Sequence, residues 1–287
     1  MYYSALIGDP TEHSVSHVLY EELLKAAGIE KVYKHIKIDV ATDRLGAAIS
    51  ALRELKFCGI SVTLPHKLDV MQYLNVIDEA AKGIGAVNTI KPETLKGYNT
   101  DWVGIVKPLK KLLGTDALAG EATIFGTGGA ARAAIYAAEQ LKATKINVVY
   151  REDADDPKTE DLMQNAKALG IELYPYDSVP VLIQRSKLIF NATSAGMIGK
   201  EDTPFDLDDL AELNLNDKVY FDAVFNPIAT PLLTYFNEHG ARTIDGLWMM
   251  IYQGIEALAI WLDMKVTVTD AQLKAIHETL IKELSHV

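Results

Sequence analysis

The chain has 287 residues, 49 % hydrophobic and 23 % charged, which is the composition of a globular protein long enough to build two cores. Its 28 basic and 39 acidic residues leave a net charge of −11, which disfavours nucleic acid as the main partner, because phosphate binding needs clustered Lys and Arg. A single cysteine, Cys58, excludes an internal disulfide framework and a cysteine-based zinc site, and its apolar surroundings predict a buried structural thiol.

The first eight residues carry no basic leader or long apolar run, so they do not read as a signal peptide. Residues 2–7 read as a short apolar strand. Ser16 is placed to cap a helix over Val18, Leu19, Leu23 and Leu24 that stops at Gly28. Residues 31–40 alternate, with Val32, Ile36, Ile38 and Val40 on one face, as a strand does. Leu45, Ile49, Leu52 and Leu55 then recur at helical spacing. Residues 59–64 read as a buried strand, and Pro65 is expected to open the next helix, with Lys67 in its first turn. Residues 86–90 and 94–98 flank a Lys-Pro-Glu turn and predict a hairpin.

A second series begins near residue 121. Strands are expected at 121–125, 145–150, 171–174, 187–191 and 218–224, with helices between most of them, the first at 129–141. Strands separated by helices predict a parallel sheet. Residues 246–262 and 269–284 read as helices. The apolar run at 247–262 contains Gln253 and Glu256 and is short for a membrane span, so the expectation is a soluble cytoplasmic chain without a membrane partner.

Gly126-x-Gly128-x-x-Ala131 lies between an expected strand and an expected helix, the context that a dinucleotide fingerprint requires. The first glycine permits the tight turn, and the second lets backbone approach a pyrophosphate at the helix N-terminus. A plain structural turn is the other reading. The adenosine ribose is expected just after the next strand, at Arg151-Glu152-Asp153, where an arginine favours a 2′-phosphate and an acid favours the bare hydroxyl. Lys67 reads either as a surface lysine or as a partly buried proton donor and acceptor. Asp101 reads either as its charge-assisted partner or as the cap of the following helix. Ser14 and Ser16 are either caps or a carboxylate site at a helix N-terminus. His13, His17 and His66 lack metal-ligand spacing, so no metal is expected.

With these residues assembled, the chain closely resembles the shikimate dehydrogenase family, including its quinate/shikimate dehydrogenase branch, over nearly its whole length. The elements stand in family order: His-Ser14-Val-Ser16, Val-Thr63-Leu-Pro-His-Lys67, Gly-Ala-Val-Asn88-Thr89, Asn99-Thr100-Asp101, Gly126-Thr-Gly128-Gly129-Ala-Ala-Arg132, Asn191-Ala-Thr193-Ser194-Ala-Gly, and Asp245-Gly246-Leu247 with Gln253 downstream. The resemblance implies an α/β fold of two domains. A substrate domain, 1–101, is completed by C-terminal helices, 245–287, and a Rossmann-type dinucleotide domain spans 102–244. It also implies NAD(P)-dependent interconversion of 3-dehydroshikimate and shikimate.

By position, Lys67 and Asp101 would be the catalytic pair. Ser14 and Ser16 would hold the substrate carboxylate, and Thr63, Asn88 and Gln253 the ring hydroxyls or the carboxylate surroundings. Gly126, Gly128, Gly129, Ala130, Arg151, Asp153, Thr193, Gly246 and Met249 would face the cofactor. Domain closure would align donor and acceptor carbons.

Phe225 stands where the family usually has a substrate-contacting tyrosine, Ser61 replaces a common asparagine, and Trp248 replaces a usual glycine. Tyr150-Arg151-Glu152 replaces the usual Asn-Arg-Thr phosphate clamp. The acids at 152 and 153 favour NAD over NADP. The resemblance implies a small hydroxy acid as partner, and the expected assembly is a monomer or homodimer. The alternatives are a dehydrogenase acting on quinate or a related cyclohexanoid acid, a methylenetetrahydrofolate dehydrogenase, and a dinucleotide-sensing protein without turnover. The Ser14/Ser16 and Asn99-Thr100-Asp101 clusters argue against the second, and Lys67 with Asp101 against the third.

Overall fold

The structure, a computed structural model, describes residues 2–29, 32–151, 157–200 and 202–286. The chain divides into two compact units, Met1–Gly104 with Met250–Val287, and Ile105–Met249.

The first unit begins with β1 (Tyr2–Gly8), α1 (Ser16–Ala26), β2 (Tyr33–Asp39), α2 (Leu45–Glu54) and β3 (Gly59–Val62). It continues with β4 (Val76–Ile77), α3 (Glu79–Ile84), β5 (Thr89–Lys91), β6 (Lys96–Tyr98) and the start of α4 (Asp101–Leu113). The strands form one sheet in the order β2-β1-β3-β5-β6-β4. β1 runs parallel to β2 and β3, whereas β5 is antiparallel to β3 and β6. Side chains alternate across a strand, so β1 and β3 send Ala5, Ile7, Ile60 and Val62 into a core shared with Leu45, Ile49 and Leu52 of α2.

Several expectations need correction here. Ser16 is the first residue of α1 and not its cap; the N-cap position is Val15, which has no side-chain cap hydrogen bond. Pro65 opens no α-helix: it follows a cis peptide bond in a turn, and only a five-residue 3-10 helix, Asp69–Tyr73, comes after it. Lys67 is therefore a turn residue. The apolar face expected over 31–40 is split: Val32 and Ile36 are exposed, whereas Ile38 packs against the core and Val40 belongs to it. β2 is an edge strand, and Tyr33 and His35, on its other face, are the residues that bind inward, through Ser4. Cys58 is half-buried, not buried.

The second unit contains β7 (Glu121–Phe125), α5 (Gly129–Gln140), β8 (Ile146–Val149), α6 (Pro157–Asn165), β9 (Ile171–Tyr174) and α7 (Val179–Arg185). β10 (Ser186–Asn191), β11 (Val219–Asp222), α8 (Pro231–Glu238) and β12 (Arg242–Ile244) follow. All neighbours are parallel, in the order β12-β11-β10-β7-β8-β9. Read from its other edge, this is the 3-2-1-4-5-6 order of a doubly wound dinucleotide-binding sheet, with strand order reversing between β7 and β10. β7, β8, β10 and β11 are wholly or almost wholly buried, as sheet strands covered on both faces are. β12 has no counterpart among the expected strands.

The chain returns to the first unit within α9 (Gly246–Leu262), followed by α10 (Asp270–Leu284). Trp261 of α9 lies against Gly59, where a Cβ would stand 2.1 Å from the indole, and donates to Ile90 O at 3.0 Å. Thr269 caps α10 reciprocally with Gln272. No helix among the described residues is long and apolar enough to cross a membrane.

Candidate active site

Asp101 is the centre of a polar cluster in the first unit. Its backbone N–H donates to Asn99 Oδ1 at 3.0 Å, so Asn99 serves the start of α4 and the Asp101 carboxylate is spared for other partners. One oxygen accepts from Lys67 Nζ at 2.6 Å and the other from Asn88 Nδ2 at 2.8 Å. The Lys67 and Asp101 side chains are 15 % and 6 % exposed, which keeps solvent screening of the pair small.

Asn88 is itself fixed from every side. Its carbonyl accepts from Val62 N at 2.7 Å, its N–H donates to Tyr98 O at 3.1 Å, and Oδ1 accepts from Thr100 N at 2.8 Å and Thr89 Oγ1 at 2.9 Å. Gln253, from α9, closes the cluster. Its Oε1 lies 3.2 Å from Thr100 Oγ1 and 3.5 Å from Asn88 Nδ2. Thr89 and Thr100 belong to this network although only their neighbours are expected as site residues. The polar run Asn99-Thr100-Asp101 is the signal that could have included Thr100.

Lys67 can offer three donors, and one goes to Asp101. The arrangement is a lysine held in place by a carboxylate that is itself held by an amide. That is the equipment to move a proton at a ligand hydroxyl.

Ser14, Ser16 and Thr63 are not part of that bonded cluster. Ser14 Oγ and Ser16 Oγ lie 3.1 Å apart at the start of α1, and Ser14 Oγ accepts from Ser16 N at 3.2 Å. Lys37 Nζ donates to Ser14 O at 3.1 Å, placing a cation beside the serine pair that sequence spacing did not reveal. Thr63 is half-buried just past β3, with its N–H on Ile7 O at 2.9 Å.

In the second unit, Gly126 follows β7 with φ +105°, a conformation reserved for glycine. An added Cβ would also stand 3.2 Å from Thr193 Cγ2. Gly128 is the N-cap of α5 and Gly129 its first residue. A Cβ at Gly128 would meet nothing within 4 Å, so the backbone N-terminal to the helix is open to an approaching group. A glycine turn of this kind, at the N-terminus of a twelve-residue helix and beside the reversal of strand order, fits a dinucleotide pyrophosphate.

Ala130 follows in the first turn of α5. Thr193 is held by Asn191, whose Oδ1 accepts from Thr193 N at 3.1 Å and Oγ1 at 2.7 Å. Gly246 starts α9, and a Cβ there would stand 2.5 Å from Val224 O, so no larger residue fits. Met249 is buried in the same turn. Arg151 is exposed after β8, close enough to Tyr176 to pull its hydroxyl down while burial pushes it up to about 12. Asp153 and Glu152 lie outside the described residues.

Residues 6–90 match the family described as the Shikimate dehydrogenase substrate binding domain. The chain is 35 % identical over 282 residues to "Shikimate dehydrogenase (NADP(+))" of Microcystis aeruginosa, covering 97 % of this chain and 96 % of the relative. Its fold is similar to the crystal structure of shikimate dehydrogenase from Aquifex aeolicus, with a TM-score of 0.81 and 32 % identity over 96 % of this chain and 97 % of the other. The Listeria monocytogenes shikimate 5-dehydrogenase solved in complex with shikimate and NAD is also similar, with a TM-score of 0.81 and 27 % identity over 98 % and 96 % of the two chains.

Proposed function

Since the chain belongs to the shikimate dehydrogenase family, we propose that it interconverts 3-dehydroshikimate and shikimate through the Lys67–Asp101 pair. It is an NAD(P)-dependent oxidoreductase acting on a CH–OH group. The observation that carries the residue assignment is the 2.6 Å contact of Lys67 Nζ with Asp101, braced by Asn88 and closed by Gln253.

In the direction of oxidation, the reacting hydroxyl gives up its proton as its carbon loses hydride. The bound dinucleotide supplies the hydride acceptor, or the donor in reverse. Lys67 Nζ meets the reacting oxygen and exchanges its proton. Asp101 orients Lys67 for that exchange. Asn88 and Gln253 bind neighbouring hydroxyls. Ser14 and Ser16, with Lys37 behind them, take the carboxylate. Thr63 takes a ring hydroxyl. Gly126, Gly128, Gly129 and Ala130 would hold the pyrophosphate, and Thr193, Gly246 and Met249 would face the nicotinamide half.

Purified protein incubated with shikimate and each oxidised nucleotide should generate the absorbance of reduced nicotinamide. Turnover of quinate with none of shikimate would favour a cyclohexanoid-acid paralogue instead. Ser61 gives that second reading its footing: its hydroxyl is engaged by Tyr20 OH at 3.3 Å, in a strand position where the family usually has asparagine.

Between the two dinucleotides, we infer NAD over NADP from the negative charge of Glu152 and Asp153, which repels a 2′-phosphate. Arg151 acts in the opposite sense, and the Microcystis relative bears NADP(+) in its name. The ratio of kcat/KM for the two cofactors decides: NAD should be the better substrate, and a preference for NADP of about a hundredfold overturns the inference.

A further inference from the structure

Asp222, the last residue of β11, is fully buried and carries four hydrogen bonds. Oδ1 accepts from Asn191 Nδ2 and Val224 N, both at 3.0 Å. Oδ2 accepts from Tyr220 OH at 3.0 Å and Thr230 Oγ1 at 2.6 Å. All four partners are neutral donors. The amide groups of Asn191 and Val224 can only donate, and Thr230 Oγ1 already accepts from Leu233 N at 3.1 Å. Oδ1 faces two groups that can only donate and Oδ2 faces two hydroxyls directed at it as donors, a set that favours the ionised form. Burial holds this carboxyl above the usual carboxylate range, and the four donors offset part of that rise.

The partners are not scattered. Asn191 shapes the turn that holds Thr193, through Oδ1 to Thr193 and Nδ2 to Ala195 O at 3.3 Å. Val224 carries the carbonyl against which Gly246 is packed. Thr230 caps α8 and abuts Gly196, where a Cβ would stand 3.1 Å from Thr230 Cβ. Phe125, Asn191 and Asp222 are register partners across β7, β10 and β11, so Asp222 lies level with the end of the strand that leads into Gly126. One carboxylate thus ties together the segments 191–196, 223–230 and 246. They stand at the carboxyl ends of the second half of the sheet, the half that takes the nicotinamide nucleotide in this fold.

We propose that Asp222 is the positioning residue of the nicotinamide half of the site, and that its buried charge favours the oxidised, positively charged nicotinamide over the reduced one. This rests on the dinucleotide reading above. Charges buried in a protein interact across a low effective dielectric, so a fixed anion discriminates between a cationic and a neutral ring. Hydrogen-bond geometry alone gives no such discrimination.

The test is a binding titration of oxidised and reduced nucleotide, of whichever phosphorylation state binds, to wild type, Asp222→Asn and Thr230→Val. Asp222→Asn should weaken the oxidised form by about tenfold and the reduced form clearly less. Thr230→Val keeps the charge and loosens one tie, so both forms should weaken together, by about threefold. A folded Asp222→Asn with an unchanged ratio of the two affinities overturns the inference. If that variant does not fold, Thr230→Val decides alone, and wild-type affinities or a shifted ratio overturn it. A wild-type protein that binds neither nucleotide would instead remove the dinucleotide reading itself.

Discussion

Lys67 illustrates how little of a residue's role lies in the residue. It sits in a turn after a cis proline, and its side chain is aimed by Asp101, thirty-four positions along the chain. Asp101 in turn is fixed by Asn88. On the proposed mechanism, replacing Lys67 by alanine removes the group that exchanges the proton and leaves the amides of Asn88 and Gln253 in place. Lys67→Ala should therefore lower kcat by about 10²–10⁴-fold while the affinity for shikimate falls far less. Steady-state kinetics beside a direct substrate titration checks this, and a near-normal kcat would remove Lys67 from the proposed role.

Among the elements, the turn between β7 and α5 is the clearest case of backbone dictating sequence. Gly126 has φ +105° and Thr193 lies 3.2 Å from where a Cβ would stand. Gly126→Ala should cost about 1–3 kcal/mol of stability in the second unit and should weaken nucleotide binding without altering shikimate binding. Thermal unfolding and nucleotide titration measure the two effects, and unaltered nucleotide affinity would count against the turn as the pyrophosphate seat.

This element was readable in the sequence because its signals are local: a short apolar strand, two glycines at fixed spacing and an alanine-rich helix. The strand at 171–174 and the helix at 246–262 were readable for the same reason. The turn at Pro65 is not legible in the sequence because proline fits either a first helical turn or a cis turn, and only the surrounding packing chooses. β12 was missed because three residues give no periodicity. The role of Asp222 was invisible because it depends on the pairing of Asn191 with Asp222 across two strands. Thr230 adds to the difficulty, since a loop brings it back to the same carboxylate.

For the molecule as a whole, acid sensitivity has an identifiable source. His35 packs beside Tyr20 and Trp261, with Nδ1 at 2.6 Å from Ser4 Oγ, and burial pushes its pKa down to about 3. The imidazole is therefore neutral in the folded protein below about pH 6.5, where the unfolded chain would protonate it. Its contribution is fully present above pH 6.5 and is lost as the pH falls towards about 3. At pH 5 that loss amounts to about 2 kcal/mol at most. Denaturant unfolding of wild type between pH 7 and 5 should show this decline, and His35→Gln should flatten it. Parallel pH slopes for the two proteins would exclude His35 as the source.

The chain leaves the first unit within α4 and re-enters it within α9. Synthesis is vectorial, so the whole parallel sheet of the second unit is complete once β12 has been made at Ile244, while the first unit still lacks α10 and most of α9. Gln253 and Trp261 are still to come at that stage. The second unit can thus mature on the ribosome first, and the cluster around Asp101 reaches its final form only when α9 is delivered to it.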